Sequence, residues 1–140
     1  LPVGFGEPWF EGIEPALARA LMAIPAARAV EFGRGVNAGL MRGSKHNDKW
    51  GEDMSLDEGA DGALGGMASG APIHVRVTFK PPSGISKPQE TFNQVTGMME
   101  ELAIKGRHDP VIAPRARPVV EAVARLVIAD LGIQGGYIDG

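Results

Sequence analysis

The residues best suited to chemistry stand in one short run, Arg107-His108-Asp109. Arginine binds carboxylate or phosphate through a planar, bidentate fork. A carboxylate beside it can accept a proton or orient a partner. A surface ion cluster would explain the same three residues. A second run, Lys80-Pro81-Pro82-Ser83-Gly84, offers a point-charge cation, a hydroxyl and rigid backbone. That set suits a phosphate or an electron-rich ring, and the plain alternative is a proline-rich turn ending in a solvated lysine. A third, Gly62-Ala-Leu-Gly65-Gly66-Met-Ala-Ser69-Gly70, could cradle an anion or cofactor on backbone amides and the Ser69 hydroxyl, or simply form a flexible loop and a tight turn.

Other patterns carry less. Gly33-Arg-Gly35-Val-Asn-Ala38 follows a short strand and matches the relaxed dinucleotide fingerprint. That mechanism needs a helix N-terminus directly behind it to hold the pyrophosphate. Gly39, Gly43, Ser44 and a polar run follow instead, so an ordinary glycine turn is the better reading. Among His46, His74 and His108 no pair is spaced i, i+4, so the zinc-protease pattern is absent. His46 and His74 read as solvated residues.

Clean periodic segments must position these runs. Pro15 to Ile24 reads as a helix, with Ala16, Leu17, Ala20, Leu21 and Ile24 as its apolar stripe and Pro25 as its stop. Residues 29–32 read as a short strand. Pro72 to Lys80 is the clearest strand: Ile73, Val75, Val77 and Phe79 face one way, and His74, Arg76, Thr78 and Lys80 the other. Glu90–Asn93 and Met98–Lys105 read as strands joined by a turn at Gln94–Gly97. Pro118 to Leu131 is the best helix, with Val119, Val120, Val123, Leu126 and Val127 as its core face and Gly132 as its C′ glycine. Residues 1–11 form an aromatic packed loop or short strand, and 33–70 are mostly loop. The fold class is α+β, one domain over residues 1–140, with mostly antiparallel strands and helices packed on them.

Composition narrows the function. The chain has 140 residues, enough for one ordinary domain. Fourteen basic and seventeen acidic side chains give 14 − 17 = −3, the wrong sign for a general nucleic-acid binder or a polybasic membrane-surface protein. No apolar run is long enough for a membrane span. Cysteine is absent, which excludes disulfides, zinc–thiolate sites, iron–sulfur clusters and a thiol nucleophile, and fits a reducing cytosol. The first ten residues lack the basic and apolar regions of a signal peptide, and residue 1 is Leu.

Several blocks, in order, resemble the chorismate synthase family. Gly4-Phe5-Gly6-Glu7-Pro8 is similar to its opening G-x-G-E-P. Ile24-Pro25-Ala26 through Val30-Glu31-Phe32-Gly33 is similar to I-P-A-x-x-x-V-E-x-G, and Arg42-Gly43-Ser44 with Asn47-Asp48 to its G-S-x-x-N-D loop. Leu64-Gly65-Gly66 with Ser69-Gly70, and Lys80-Pro81 through Lys87-Pro88-Gln89, resemble two further blocks. Arg107 to Val111, leading to Pro118-Val119-Val120-Glu121-Ala122, resembles the C-terminal signature. Two positions depart from the pattern: Pro82 stands for the usual Thr and Gly84 for the usual Ser. The usual N-H-A-G-G lead-in is replaced by Gly59-Ala60-Asp61-Gly62-Ala63.

The resemblance implies part of a β-α-β sandwich and a phosphate-eliminating lyase of the shikimate pathway of aromatic amino acid biosynthesis. Such a lyase converts 5-enolpyruvylshikimate 3-phosphate to chorismate by anti-1,4-elimination with reduced FMN. It implies a cytoplasmic homotetramer acting on a small molecule, without nucleic acid, membrane or metal. Flavin contacts would fall on Pro25, Ala26, Gly65, Lys80, Pro81, Pro82, Ser83, Gly84 and Arg107, with Asp109 as base and Arg107 between flavin and substrate. The match is to the C-terminal part of the family. The motifs of its two N-terminal histidines are absent, so this chain reads as a fragment of a longer enzyme. The alternative is a non-catalytic flavin-binding or structural module.

Overall fold

The computed structural model describes residues 1–52, 56 and 61–139. Gly59 and Ala60 of the altered lead-in lie outside them. The core is built on helix α1, Ile13–Met22, whose buried Ile13, Ala16, Leu17 and Leu21 recur at helical spacing. Pro15 sits in the first turn, where its missing N–H is no loss. The helix starts two residues earlier than the stripe alone indicates. Ile24 and Pro25 fall just past its end.

The chain turns at Pro25–Ala26 into strand β1, Ala27–Phe32, which pairs antiparallel with β4, Val75–Phe79. Val30 lies opposite Val77 and Glu31 opposite Arg76. Exposure along residues 72–80 alternates at every position, with Ile73, Val75, Val77 and Phe79 on the half-buried side. The apolar parity of the segment therefore set its facing, although the paired part is shorter than Pro72–Lys80. The 33–70 stretch is less irregular than its composition implies. It holds a 3-10 helix at Gly35–Leu40, one helical turn α2 at Gly43–His46, and a small hairpin of β2, Ala63–Leu64, and β3, Met67–Ala68. β5, Gln89–Asn93, and β6, Met98–Leu102, form the expected hairpin, closed by Asn93, whose side-chain oxygen accepts the Val95 N–H at 2.8 Å.

The last helix corrects two expectations. α3 spans Ala113–Gln134, a turn longer at the front than Pro118–Leu131, so Pro118 lies inside it. Pro114 is the residue near its N-terminus, and the carbonyl that Pro118 cannot satisfy belongs to that exposed first turn. Gly132 is not the C′ residue. It is buried within the helix, where a β carbon would stand 2.7 Å from Ile138 Cδ1. Gly136, with φ +70°, takes the left-handed position, the Tyr137 N–H donates to Gly132 O at 2.8 Å and the Gly136 N–H to Ile133 O at 3.1 Å. That is the Schellman pattern, displaced four residues. The final segment thus folds back over Gly132 and sets Tyr137 against Phe5, ring centroids 5.0 Å apart.

α3 packs Val120, Val123, Ala124, Val127 and Ile128 on the core, with Leu131 inside it. Its opposite side carries Val119, Leu126 and Ile133, at 47, 70 and 50% exposure. A helix apolar on two sides is made to be covered on both. Among the described residues no helix is long and apolar enough to cross a membrane.

Candidate functional site

Three of the singled-out loops converge. Pro25–Ala26 links α1 to β1, and Ala26 is held at φ +69°, a left-handed conformation unusual for a residue with a side chain. The Ala26 carbonyl accepts the Lys80 N–H at 2.9 Å, which pins the start of the Lys80–Gly84 loop beside it. The far end of that loop meets the third one: a β carbon on Gly84 would lie 3.7 Å from His108 Nδ1. Arg107, on that third loop, is exposed, as is Lys80. Neither forms an ion pair among the described residues. Two free cations on adjoining loops are what an anion-bearing ligand needs.

Asp109 has a fixed partner that sequence reasoning missed. Arg115 Nη1 donates to Asp109 Oδ2 at 2.8 Å, from the first turn of α3 back to the loop. The pair is well exposed. It orients the carboxylate through a charge-assisted hydrogen bond. The i, i+6 separation across a helix start gives no periodic signal, so only the three-dimensional turn reveals it.

Gly65 does not join this cluster. It forms the turn between β2 and β3, with φ +63° and open space around it. Its neighbour Gly66 packs on Gly12 and accepts the Ile13 N–H at 2.9 Å, at the N-terminal end of α1. Pro25 and Ala26 lie past the other end. A ten-residue helix is about 15 Å long, so one ligand touches both only by running its length.

Two glycine runs read as possible cradles are used by the chain itself. At Gly33-Arg34-Gly35 the Arg34 N–H donates to Asp61 Oδ1 at 3.2 Å and the Val36 N–H to Glu31 Oε1 at 3.1 Å. A β carbon on Gly33 would fall 1.7 Å from Asp61 Oδ1, and one on Gly35 2.6 Å from Glu31 Oε1. The glycines admit the protein's own carboxylates, so no pyrophosphate cradle forms there. In the Gly62–Gly70 run, the Ala68 N–H donates to Phe5 O and the Ser69 N–H to Gly62 O. Ser69 is buried in the core, so it offers no hydroxyl to an outside anion.

Asp61 also faces His46, whose Nε2 lies 3.7 Å from Oδ2, in a cleft of about 570 Å³ lined by Met41, Asp48 and Trp50. The neighbouring Glu14 has its pKa raised, first by burial and then by the Asp61 charge. Among the described residues no group of three His, Asp or Glu could hold a metal ion.

The chain is an α+β scaffold in which cationic, proline- and glycine-rich loops meet, a set of groups suited to a small anionic molecule or cofactor. A sequence profile of the chorismate synthase family matches residues 1–133, and the chain belongs to that family. The chain is 46% identical over 142 aligned residues to the chorismate synthase of Dehalococcoides mccartyi, strain BAV1, covering 99% of this chain and 39% of the relative. It is 48% identical over 135 residues to that of Aeropyrum pernix, covering 94% and 36%. A crystal structure of chorismate synthase superposes with a TM-score of 0.70 at 28% identity, over 96% of this chain and 34% of that one. The chain thus spans about two-fifths of the length of the curated relatives it matches.

Proposed function

We propose that this chain is the flavin-binding, C-terminal part of a chorismate synthase, a lyase of the shikimate pathway. The parent enzyme removes phosphate and a ring proton from 5-enolpyruvylshikimate 3-phosphate by anti-1,4-elimination, as a cytoplasmic homotetramer. The observation that carries this reading is the meeting of Pro25–Ala26, the Lys80–Gly84 loop and the Arg107–Asp109 loop, with Lys80 and Arg107 in no ion pair among the described residues.

The donor set fits FMN. Lys80 and Arg107 are cations for its phosphate or its electron-rich ring edge. Ser83 supplies a hydroxyl. Pro81, Pro82 and Gly84 supply a stiff backbone that a flat ring can approach. Pro25 and Ala26 close one side, and Gly65 adds an open turn at the other end of α1. Reduced FMN held by these residues would supply electron density to the reacting ring. Arg107 binds the anionic substrate where it meets the cofactor. Asp109, oriented by Arg115, accepts the ring proton on the carboxylate oxygen that Arg115 leaves free. The C–H electron pair forms a new ring double bond, the existing double bond shifts to the carbon that loses phosphate, and phosphate leaves with the C–O electron pair, so no net redox change results.

A second reading is favoured for the 140 residues alone. His46 faces Asp61, His74 lies on the solvent side of β4 and its flank, and neither stands near the three loops. A flavin-binding scaffold that does not turn over fits that arrangement. Anaerobic titration of the chain with reduced FMN, with and without the enolpyruvyl substrate, separates the two. Binding without phosphate release supports the scaffold reading for this chain, and phosphate release supports a self-sufficient site. Absence of binding overturns the flavin assignment for the chain.

A further inference from the structure

The outer side of α3 is left open by the described residues. Val119, Leu126 and Ile133 stand on it at intervals of seven, with Ala122 and Ala129 between them. That is the heptad spacing of a helix-on-helix seam, and alanines at the intervening positions let two backbones approach closely. The same side carries one cation and one anion: Arg115 towards the N-terminal end and Asp130 towards the C-terminal end. Each has bonding capacity left. Arg115 gives Nη1 to Asp109 and keeps its other N–H groups. Asp130 accepts the Gln134 amide on Oδ2 at 2.8 Å and keeps Oδ1. Asp130 forms no ion pair among the described residues.

We propose that a second copy of this chain covers this side, with the two α3 helices antiparallel about a dyad at Ala122–Val123. Residues equally far from that centre then meet. Val119 lies opposite the partner's Leu126, and Arg115 opposite the partner's Asp130. Arg125 falls within one residue of the partner's Glu121. Every contact is made twice, as an isologous interface requires. The dyad is also within about one residue of the midpoint of Ala113–Gln134, so nearly the whole helix, about 33 Å, overlaps its partner. Charge selects the direction. In a parallel pair Arg115 would face the same arginine, and the two helix dipoles would lie aligned side by side. Neither FMN nor the loop site enters this inference.

Sedimentation velocity of the 140-residue chain at rising concentration tests it. The chain should pass from 14.7 kDa to twice that mass. Leu126→Glu, at a position already exposed, should hold it at 14.7 kDa with unchanged helical circular dichroism. Asp130→Arg should weaken the dimer about tenfold or more by setting arginines together, and Arg115→Asp added to the same chain should restore it. The chain has no cysteine, so a single introduced one reports geometry. Ala122→Cys, beside the dyad, should form a disulfide-linked dimer. Val119→Cys should not, because its two copies lie about 10 Å apart along the pair, beyond the reach of a disulfide. A chain that stays monomeric overturns the proposal and leaves the stripe to further residues of a longer polypeptide. Self-association that Leu126→Glu leaves intact also overturns it. So does cross-linking of Val119→Cys as readily as Ala122→Cys, the mark of a parallel pair.

Discussion

At the residue scale, the site depends on which charged groups are already satisfied. Among the described residues Arg107 and Lys80 form no ion pair, whereas Asp109 is tied to Arg115 at 2.8 Å. Arg107→Ala should therefore weaken FMN binding by about 1.5–3 kcal/mol, a charged hydrogen bond's worth, as read by fluorescence titration. Unchanged affinity would remove Arg107 from the site. Asp109→Asn should spare flavin binding and abolish phosphate release in the assembled enzyme. Gly33 tests the opposite point, that some glycines serve the protein's own carboxylates. Gly33→Ala places a β carbon on Asp61 and requires φ near +51° of a residue with a side chain. It should lower stability by about 1–3 kcal/mol in urea denaturation, by strain and by expelling Asp61 from its turn.

At the scale of elements, α1 is the piece on which the others are hung. Leu21 is fully buried near its C-terminal end, and Leu21→Ala should cost about 2–5 kcal/mol, read from the shift of the urea midpoint at constant slope. The first turn of the same helix carries a pH dependence. Glu14 has its pKa raised by burial and then by Asp61, so the folded chain holds its proton more tightly than the unfolded one. Stability from that proton is present below the ordinary glutamate value of 4.5 and is lost as pH rises through the raised folded value. Glu14→Gln should accordingly raise Tm at pH 7 and leave it unchanged at pH 3.5. An equal rise at both pH values would show that charge is not the cause.

At the scale of the whole molecule, the surface is larger than a compact monomer of this mass would expose. A compact protein of 14.7 kDa exposes about 6,900 Å² by the usual scaling, and this chain exposes 10210 Å². Exposed apolar residues are organised in two places: the outer stripe of α3, and Phe92 and Met99 facing each other across β5 and β6. The chain spans about two-fifths of the length of its relatives, and nothing in the 140 residues covers these faces among the described residues. The 140 residues alone should bind ANS strongly and elute from gel filtration ahead of a compact 14.7-kDa standard. A compact elution volume with no dye binding would show that these faces are stable in water.

Local pattern made several elements legible. The alternation from Ile73 to Phe79 gave β4 its facing, and the apolar stripe from Ala16 to Leu21 placed α1, because a strand's or helix's periodicity is written in its own residues. The order of short glycine, proline and charged blocks was enough to place the chain in its family. What sequence alone did not decide depended on groups distant along the chain. The C′ glycine of α3 is Gly136 because Ile138 and Phe5 crowd Gly132, and nothing near Gly132 in sequence records that crowding. The Gly33 run is no dinucleotide loop because Asp61, twenty-eight residues on, takes its amide. Asp109 owes its orientation to Arg115. Residue types and spacing fix which groups a segment can offer. Which of them the protein uses up internally, and which stay free for a ligand, is settled only when the chain closes on itself.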